Sequence, residues 1–419
     1  MLRSFLGSTA FLGMVFLNAQ LNAATTNPTP ALATPQLKIS GQTSFNSWFF
    51  DNKRKIVEGK ADNAPCSRQK FSRTNLFTVD NSRLKFNVDG KTDPGMEYGL
   101  VIVLDGNTDK AKIVREDYLY FSGSWGKIYA GDTYGVQDSM AFGGFDQWGG
   151  TGFVDGSFDR VTNFTTGAPH SVDLVGDTSR DTKLTYFSPR WKGVQLGVSY
   201  TPRSEHRGEQ HVFSQTSQST PKQPFDVYNI ASGINFIHKF QGGFEMALSG
   251  TSVFAETHPE FHGAPKRRNT GSFAFGGTFS YADVGFSLEY GNNGRSQQFQ
   301  SRKTNAGQFL DFGLSYKWDA ATKLSMGYYY GWRKALGGAV ASDFTRRRAK
   351  TNAVGGAIDR KLAPGLGVYI EYANFQMKNP AATAEANRIN STLSNCSQFV
   401  GPTKSNRANV FVIGSRLVF

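Results

Sequence analysis

The sequence is poor in cysteine and has no long uninterrupted hydrophobic run. Its two cysteines, Cys66 and Cys396, lie far apart and form neither a CxxC motif nor a metal-ligand spacing. Only 39% of the residues are hydrophobic and the mean hydropathy is −0.40, so a membrane protein built from helices does not fit. The sequence also has no nucleophile elbow, no HExxH motif, no P-loop and no suitably placed GxGxxG fingerprint. It therefore indicates neither an enzyme nor a cofactor or metal site.

Aromatic residues and glycine are abundant instead. The chain of 419 residues contains 35 Phe, 16 Tyr and 46 Gly. Such a composition with low mean hydropathy is typical of many strands that are apolar on only one face. The last twelve residues illustrate the pattern, because Phe411, Ile413 and Leu417 share one face whereas Arg416 falls on the other. A soluble β-sandwich shows the same alternation, so the number of strands and the lengths of the loops must decide.

The N-terminus predicts export. Arg3 supplies a basic start, residues 4–21 are mainly apolar, and residues 22–24 offer small side chains for cleavage. We therefore predict a signal peptide at 1–23, a flexible Thr- and Pro-rich segment at 24–36, and one β-domain at 37–419.

Alternating patterns predict about sixteen strands. They fall at about 37–50, 73–90, 96–104, 112–122, 126–133, 180–188, 193–202, 226–240, 243–255, 271–280, 283–291, 306–318, 322–332, 349–361, 365–377 and 407–419. Short Gly-, Pro- and Asp-rich turns alternate strictly with long connections, of which 134–179 is the longest.

This alternation of loop lengths favours a transmembrane barrel over a sandwich. Outer-membrane barrels have short turns on one side and long loops on the other. In lipid, an unpaired backbone group costs several kcal/mol, so the sheet must close on itself. The predicted fold is therefore all-β, an antiparallel transmembrane barrel of about 16 strands. At that size the interior is too wide for side chains to fill, and an aqueous channel results.

Aromatic residues near the predicted strand ends fit a girdle at the two membrane interfaces, although core packing in a sandwich would explain them too. They are Trp48, Phe49, Phe50, Tyr118, Tyr120, Tyr316, Trp318, Tyr328, Tyr329, Tyr330 and Trp332.

Several short motifs, in this order, resemble the general trimeric porins of Gram-negative outer membranes. They are Ser82-Arg-Leu-Lys-Phe86, Gly131-Asp-Thr-Tyr-Gly135, Phe142-Gly-Gly144 and the terminal Phe419. The resemblance implies a homotrimeric outer-membrane channel for the passive diffusion of small hydrophilic solutes. It also implies that the long third loop folds into the lumen and that loop acids face basic residues of the wall.

The resemblance also suggests which residues form the constriction. Arg83, Lys85 and Arg180 are expected to face Asp138 and Asp146 across the pore, and Asp132 stands where relatives have an arginine. Two further departures are Gln42 in place of a lysine and Ala141 in place of a glutamate.

Basic clusters occupy or flank the long loops of a chain with a net charge of +13. They include Lys53, Arg54, Lys55, Lys266, Arg267, Arg268, Arg346, Arg347 and Arg348. In an exported barrel these side chains are expected to contact lipopolysaccharide rather than nucleic acid, or else to form a merely solvated basic face. Cys66 and Cys396 lie in the first and last long loops, which are adjacent in a closed barrel. They are therefore expected to form a disulfide, with two separate thiols as the alternative.

Two other functions remain open at this point. A substrate-selective channel would need a binding track of lumen aromatics, and a surface adhesin or receptor would depend on its loops more than on its pore.

Overall fold

The computed structural model describes most of the chain. The described residues are 33–53, 55–56, 59–61, 64–66, 74–92, 95–107, 113–162, 168–208, 224–259, 265–301, 304–334, 348–380 and 403–419. The predicted signal peptide, most of the 24–36 segment, Arg54, Arg346, Arg347 and Cys396 lie outside them. The predicted disulfide therefore stays a prediction.

The described residues form nineteen strands and a few short helical turns. The strands are β1 (Ala33–Asn52), β2 (Lys55–Ile56), β3 (Gly59–Ala61), β4 (Ala64–Cys66), β5 (Asn75–Lys91), β6 (Glu97–Asp105), β7 (Val114–Gly123), β8 (Gly126–Asp132), β9 (Thr182–Phe187), β10 (Val194–Arg203), β11 (Phe225–Lys239), β12 (Glu245–His258), β13 (Thr270–Tyr281), β14 (Val284–Asn292), β15 (Gln308–Lys317), β16 (Thr322–Lys334), β17 (Arg348–Ala363), β18 (Leu366–Lys378) and β19 (Thr403–Val418). The α-helical turn α1 (Val136–Ser139) and the 3₁₀ turns Gly144–Gln147, Phe153–Asp155 and Ser157–Arg160 all lie between β8 and β9. Within the described part of the chain, no helix has the length and hydropathy needed to cross a membrane.

Sixteen of the described strands, β1 and β5 to β19, close into one antiparallel barrel. Each strand from β5 to β19 pairs with the next along the chain, and β1 pairs with both β5 and β19. The closing register places Gln42 opposite Val418 and Asn52 opposite Ala408. Beyond β19, Phe419 exchanges two backbone hydrogen bonds of 2.9 Å with Gly41. The predicted sixteen-stranded antiparallel barrel is confirmed.

The two faces of the wall differ in the way that the alternation predicted. On β15, Leu310 and Phe312 are exposed, whereas Phe309 and Asp311, which alternate with them, are buried. On β17, Val354 and Ile358 are about half exposed, at 47% and 50%, whereas Asp359 is buried. One face of the barrel is thus an exposed apolar surface, and the opposite face, called here the polar face, carries the acids, amides and hydroxyls.

Connections alternate in length as predicted. The barrel strands are joined by seven short connections, 92–96, 124–125, 188–193, 240–244, 282–283, 318–321 and 364–365, which alternate with eight longer ones. The longest connection, residues 133–181, is called loop 3 below.

The predicted aromatic girdle is only partly right. Tyr316, Trp318 and Tyr328 are exposed on the apolar side, in keeping with the prediction. Trp48 and Tyr329, however, are fully buried, because loop 3 covers the polar face where they lie. The girdle is also wrong for Tyr118 and Tyr120, and the register explains why. Tyr118 lies opposite Val101 and Tyr120 opposite Gly99, both buried positions of the polar face.

Candidate functional site

Loop 3 lies against the polar face of the wall and is held there by its own backbone. Polar side chains of β10, β12 and β15 to β17 accept hydrogen bonds from its N–H groups. These bonds run from Val136 to Ser199 (2.9 Å), Phe142 to Ser249 (2.8 Å), Phe145 to Asp311 (3.1 Å), Gly149 to Ser325 (3.1 Å) and Gly150 to Asp359 (3.2 Å). A segment with so little secondary structure must satisfy its buried N–H groups in some other way, and the wall supplies the acceptors.

Glu371 of β18 forms the most concentrated anchor. Its fully buried carboxylate accepts hydrogen bonds from the Trp148 indole (3.0 Å), the Thr151 N–H (2.5 Å) and the Thr151 hydroxyl (2.6 Å). Three donors of the loop are thus satisfied by one buried carboxyl group. The turn at 148–151 is therefore tied tightly to β18.

Aromatic packing reinforces these bonds. The Trp148 and Phe153 rings stack with centroids 4.5 Å apart, and Phe158 lies 5.2 Å from Phe375 of β18 and 5.4 Å from Trp48 of β1. All five rings are buried. The contacts of loop 3 thus extend along the wall from Ser199 of β10 to Trp48 of β1.

The later part of loop 3 is attached in the same manner. Tyr329 donates its hydroxyl to the Ser171 carbonyl at 2.8 Å. The Val175 N–H donates to Asn293 at 2.8 Å, and the Val175 carbonyl accepts from Ser272 at 2.7 Å. Both halves of the described loop are therefore fixed to side chains of the barrel.

A cluster of charged residues lies where loop 3 begins and ends. Arg115 of β7 forms a buried ion pair with Asp105 of β6 at 3.4 Å and donates to the Tyr134 hydroxyl at 3.0 Å. The Arg180 guanidinium lies 5.6 Å from the centroid of the same tyrosine ring. Arg207, from the connection after β10, donates to the backbone carbonyl of Arg115.

The predicted residue Arg83 belongs to this cluster. It lies directly opposite Asp105 in the β5–β6 register, is buried, and interacts electrostatically with Arg115 and Tyr134. Lys85 follows on the same face of β5, is half-buried, and lies within the electrostatic reach of Glu116. The structure therefore brings Arg83 and Arg180 together around Tyr134.

Asp132 lies at the edge of the cluster. It accepts a hydrogen bond from Thr182 at 2.5 Å and forms a long ion pair of 3.7 Å with Arg207. An acid in this position balances part of the arginine charge.

The two predicted loop acids lie apart from each other. Asp146 accepts hydrogen bonds from the Gly143 N–H and from Thr278 of β13, both at 3.0 Å. Asp138 is buried in α1 next to Gln137, whose amide donates to it at 3.1 Å. The structure thus groups Asp138 with the start of loop 3 and Asp146 with the wall at β13.

Three loop acids come close enough to one another to be considered as metal ligands. Carboxylate oxygens of Asp138, Asp173 and Asp177 lie within 4.8 Å of one another. The Gln137 amide, however, donates to Asp138 at 3.1 Å and to Asp177 at 2.7 Å. An amide nitrogen pointing at two of the acids satisfies them without an ion, so this group carries no metal assignment.

Burial changes the protonation of the groups around the cluster. It raises the pKa of Tyr134 to about 12 and that of Asp181 to about 6, and it lowers the pKa of Arg180. The Asp181 carboxylate accepts the Glu205 N–H at 2.7 Å. Asp181 therefore changes charge in mildly acidic solution, as does the neighbouring His206, because burial lowers the pKa of that imidazole.

Sequence reasoning missed Arg115, Arg207 and Tyr134. Arg115 lies near the start of a predicted strand and Arg207 lies in a long connection, so nothing in the local pattern joins them. The wall acids Asp359 and Glu371 were missed as well. Their alternation with exposed Ile358 and Ile370 is the signal that could have placed them on the polar face.

The basic clusters are described only in part. Lys53 is exposed and pairs with Asp51 at 3.2 Å. Lys266 is exposed, whereas Arg267 and Arg268 donate to the carbonyls of Gln297 (2.8 Å) and Gln300 (3.3 Å). Those two arginines therefore hold two neighbouring long loops together.

Comparisons with known proteins agree with the barrel fold. A family model described as Gram-negative porin matches residues 21–380. An uncharacterized protein of Rickettsia conorii is 24% identical over 467 residues, which cover 96% of this chain and 97% of that protein.

Two solved structures share the fold. The anion-selective porin from Comamonas acidovorans superposes with a TM-score of 0.57 at 12% identity, over 92% of this chain and 100% of that one. The in-vitro folded trimer form of OmpT, an outer membrane protein of Vibrio cholerae, gives 0.56 at 13% identity, over the same shares of the two chains.

Proposed function

Because the chain belongs to the Gram-negative porin family and resides in the outer membrane, we propose that it forms a water-filled channel for the passive diffusion of small hydrophilic solutes and ions. Family and fold both favour a channel rather than an enzyme. The observation that carries the proposal is the attachment of loop 3 to one sector of the polar face. Loop 3 contacts the wall from β10 round to β1, and the charged cluster with Arg83 stands on β5 to β7.

In this proposal the polar face lines the lumen and loop 3 lies inside it. A closed barrel of this size has an interior too wide for side chains alone to fill. Loop 3 occupies one side, so the path for solutes runs between it and the wall formed by β5 to β9. The narrowest part lies at Arg83, Arg115 and Arg180, where charge biases which ions pass.

The chemistry of such a constriction depends on weak interactions. Charges in the lumen are screened over ~8 Å at physiological salt, so an ion feels Arg83 only while it passes nearby. The acids Asp105 and Asp132 limit the excess of positive charge. A solute is therefore attracted without being trapped, as passive transport requires.

Removal of Arg83 tests this assignment. In planar bilayers with a salt gradient, Arg83→Ala is expected to shift the reversal potential toward cations, because the lumen loses one positive charge. Arg83→Lys is expected to retain the sign of the wild-type selectivity. Arg360→Ala provides a control, since Arg360 pairs with Asp319 at an exposed short turn. An unchanged reversal potential in Arg83→Ala would show that this side chain lies away from the ion path.

Two assembly properties belong to the same proposal. We infer a homotrimer, supported by the family resemblance and by the trimer form of the Vibrio cholerae OmpT structure. We also propose that the exposed Lys53 and Lys266 contact the phosphates of lipopolysaccharide, because both lie on the side of the long loops.

A further inference from the structure

Tyrosine rings form a continuous patch on the polar face of β7 and β8. Tyr120 and Tyr129 lie opposite each other in the register, and both are half-buried. The Tyr129 ring lies 5.0 Å from Tyr118 and 5.5 Å from Phe187 of β9, measured between centroids. The rings of Tyr118, Tyr129 and Phe187 therefore form one aromatic surface on three neighbouring strands, and Tyr120 lies next to it in the register.

Lys127 places a positive charge on this surface. Its ammonium nitrogen lies 5.1 Å from the Tyr120 ring centroid and 5.0 Å from that of Tyr129. The lysine is half-buried, and its position opposite Ser122 sets it close to the short turn 124–125. A cation is thus held at the edge of the rings where water and solute can reach it.

Neighbouring residues fix the Tyr120 ring in place. Its hydroxyl donates to Asp89 of β5, which also accepts from Asn87 at 2.6 Å. Gly99 lies beneath the ring, and a Cβ there would come within 2.5 Å of it. The absence of a side chain at Gly99 therefore lets the tyrosine lie down on the wall, so the platform is preformed.

The position of the patch matters for transport. β7 runs from the long-loop end at Val114 to the short-turn end at Gly123. Arg115 and Glu116 lie near its beginning, and Tyr118 and Tyr120 follow toward the short turn. A solute that has passed the charged cluster would therefore meet the aromatic surface next.

We propose, on the basis of the channel function above, that Tyr118, Tyr120, Tyr129 and Lys127 form a binding subsite for small planar carboxylates that carry a ring. The flat face of such a solute stacks on the tyrosines. Its carboxylate accepts a charge-assisted hydrogen bond from Lys127. An uncharged ring would use only the platform, and a small carboxylate without a ring would use only the lysine.

Benzoate and acetate serve as the probes, because they share the charge and differ by the ring. In single-channel recordings of the purified full chain, benzoate is expected to interrupt the ion current at concentrations about tenfold lower than acetate, the ratio that the stacking of one ring supplies. Tyr129→Leu should reduce this difference. Lys127→Gln should weaken interruption by both anions. Tyr328→Leu, which removes an exposed ring from the opposite face of the wall, should leave the interruption by both anions unchanged.

The wild-type comparison does not depend on the folding of any variant. Equal interruption by benzoate and acetate, in a channel that conducts normally, would overturn the subsite and leave the channel function standing. A purified protein that carried no current would overturn both. A difference between benzoate and acetate that persisted in the double variant Tyr129→Leu/Lys127→Gln would also reject this location.

Discussion

Loop 3 approaches the wall so closely that glycine is required at the points of contact. At Gly313 of β15, a Cβ atom would lie 2.0 Å from the Gly144 carbonyl oxygen. At Gly276 of β13, it would lie 1.8 Å from the carbonyl oxygen of Phe142. Both obstacles are backbone atoms, which cannot rotate away. Gly313→Ala should therefore separate the 3₁₀ turn at 144–147 from β15.

The size of the effect follows from the contacts at this point. A separation of at least 3.0 Å is needed, so the loop backbone must move by about 1 Å. That movement stretches the bond from the Phe145 N–H to Asp311 (3.1 Å) and the bond from Ser315 to Gln147 (2.7 Å). Each buried group left without its partner costs about 1–3 kcal/mol. The docked state of the turn should therefore lose roughly 2–6 kcal/mol relative to the undocked state.

Conductance and heat resistance report this loss. A factor of ten corresponds to 1.4 kcal/mol, so the ratio of docked to undocked turn should fall at least about tenfold. Single channels of Gly313→Ala should show larger current fluctuations than the wild type. The temperature at which the folded barrel is lost in detergent should fall only slightly, because the strand pairing is unchanged.

Gly356→Ala is the matched control. Gly356 of β17 is also a strand glycine, but the nearest atom to a Cβ there is the Ser325 carbonyl oxygen at 3.4 Å. This variant should conduct like the wild type and be equally or more heat-resistant. If Gly313→Ala and Gly356→Ala gave the same current traces, the close packing of loop 3 on β15 would be refuted.

Two more predictions concern an anchor and a titration. Glu371→Ala should leave the donors of Trp148 and Thr151 unsatisfied and destabilise the docked loop by roughly 3–6 kcal/mol. Glu371→Gln, which keeps an acceptor oxygen, should destabilise it less. Equal current noise in the two variants would contradict the anchor. Burial raises the pKa of Asp181 to about 6, above its ordinary value of 3.8, so its contribution to stability is fully present below pH 3.8 and is lost as pH rises through about 6. The unfolding temperature of the wild type should accordingly fall over this range relative to Asp181→Asn, and parallel pH profiles would count against the shift.

The strands could be predicted from sequence because alternation is a local property. Leu310, Phe312 and Leu314 face one way and Asp311 the other, whatever the rest of the chain does. All sixteen predicted barrel strands are present among the described residues, with ends that differ by a few positions. The alternation of short and long connections favoured a membrane barrel, and a barrel in lipid must close, which placed β1 next to β19.

The contacts of loop 3 could not be predicted in the same way. Trp48 was expected at a membrane interface because it lies near the end of a strand. Its partners, Phe158 and the Thr78 hydroxyl at 2.8 Å, are distant in sequence. Only the position of Trp48 two residues from polar Asn46, which places both on the same face of the strand, indicated that Trp48 lies on the polar face. The cluster at Tyr134 likewise joins Arg115 of β7 to Arg180 at the end of loop 3, and no local pattern links them.

The anchoring of loop 3 also limits which wall residues can influence solutes. Acids on the polar face of a barrel would ordinarily be read as charges that face the channel. Here Asp311, Asp359 and Glu371 accept hydrogen bonds from the loop, and they are buried beneath it. These carboxyl groups therefore hold the loop and are separated from the solvent.

In the proposed channel, the charges that remain for solutes stand on β5 to β8, where loop 3 begins and ends. Lys85 and Lys127 are half-buried there and Arg83 lies beside them in the cluster around Tyr134, whereas the wall acids that accept the N–H groups of loop 3 stand on β15 to β18. A barrel whose wall carries many acids can thus present a basic path. It follows that the ion preference of this channel should respond to substitutions on β5 to β8 and should be almost insensitive to Asp311→Asn, even though Asp311 lies on the same face of the wall.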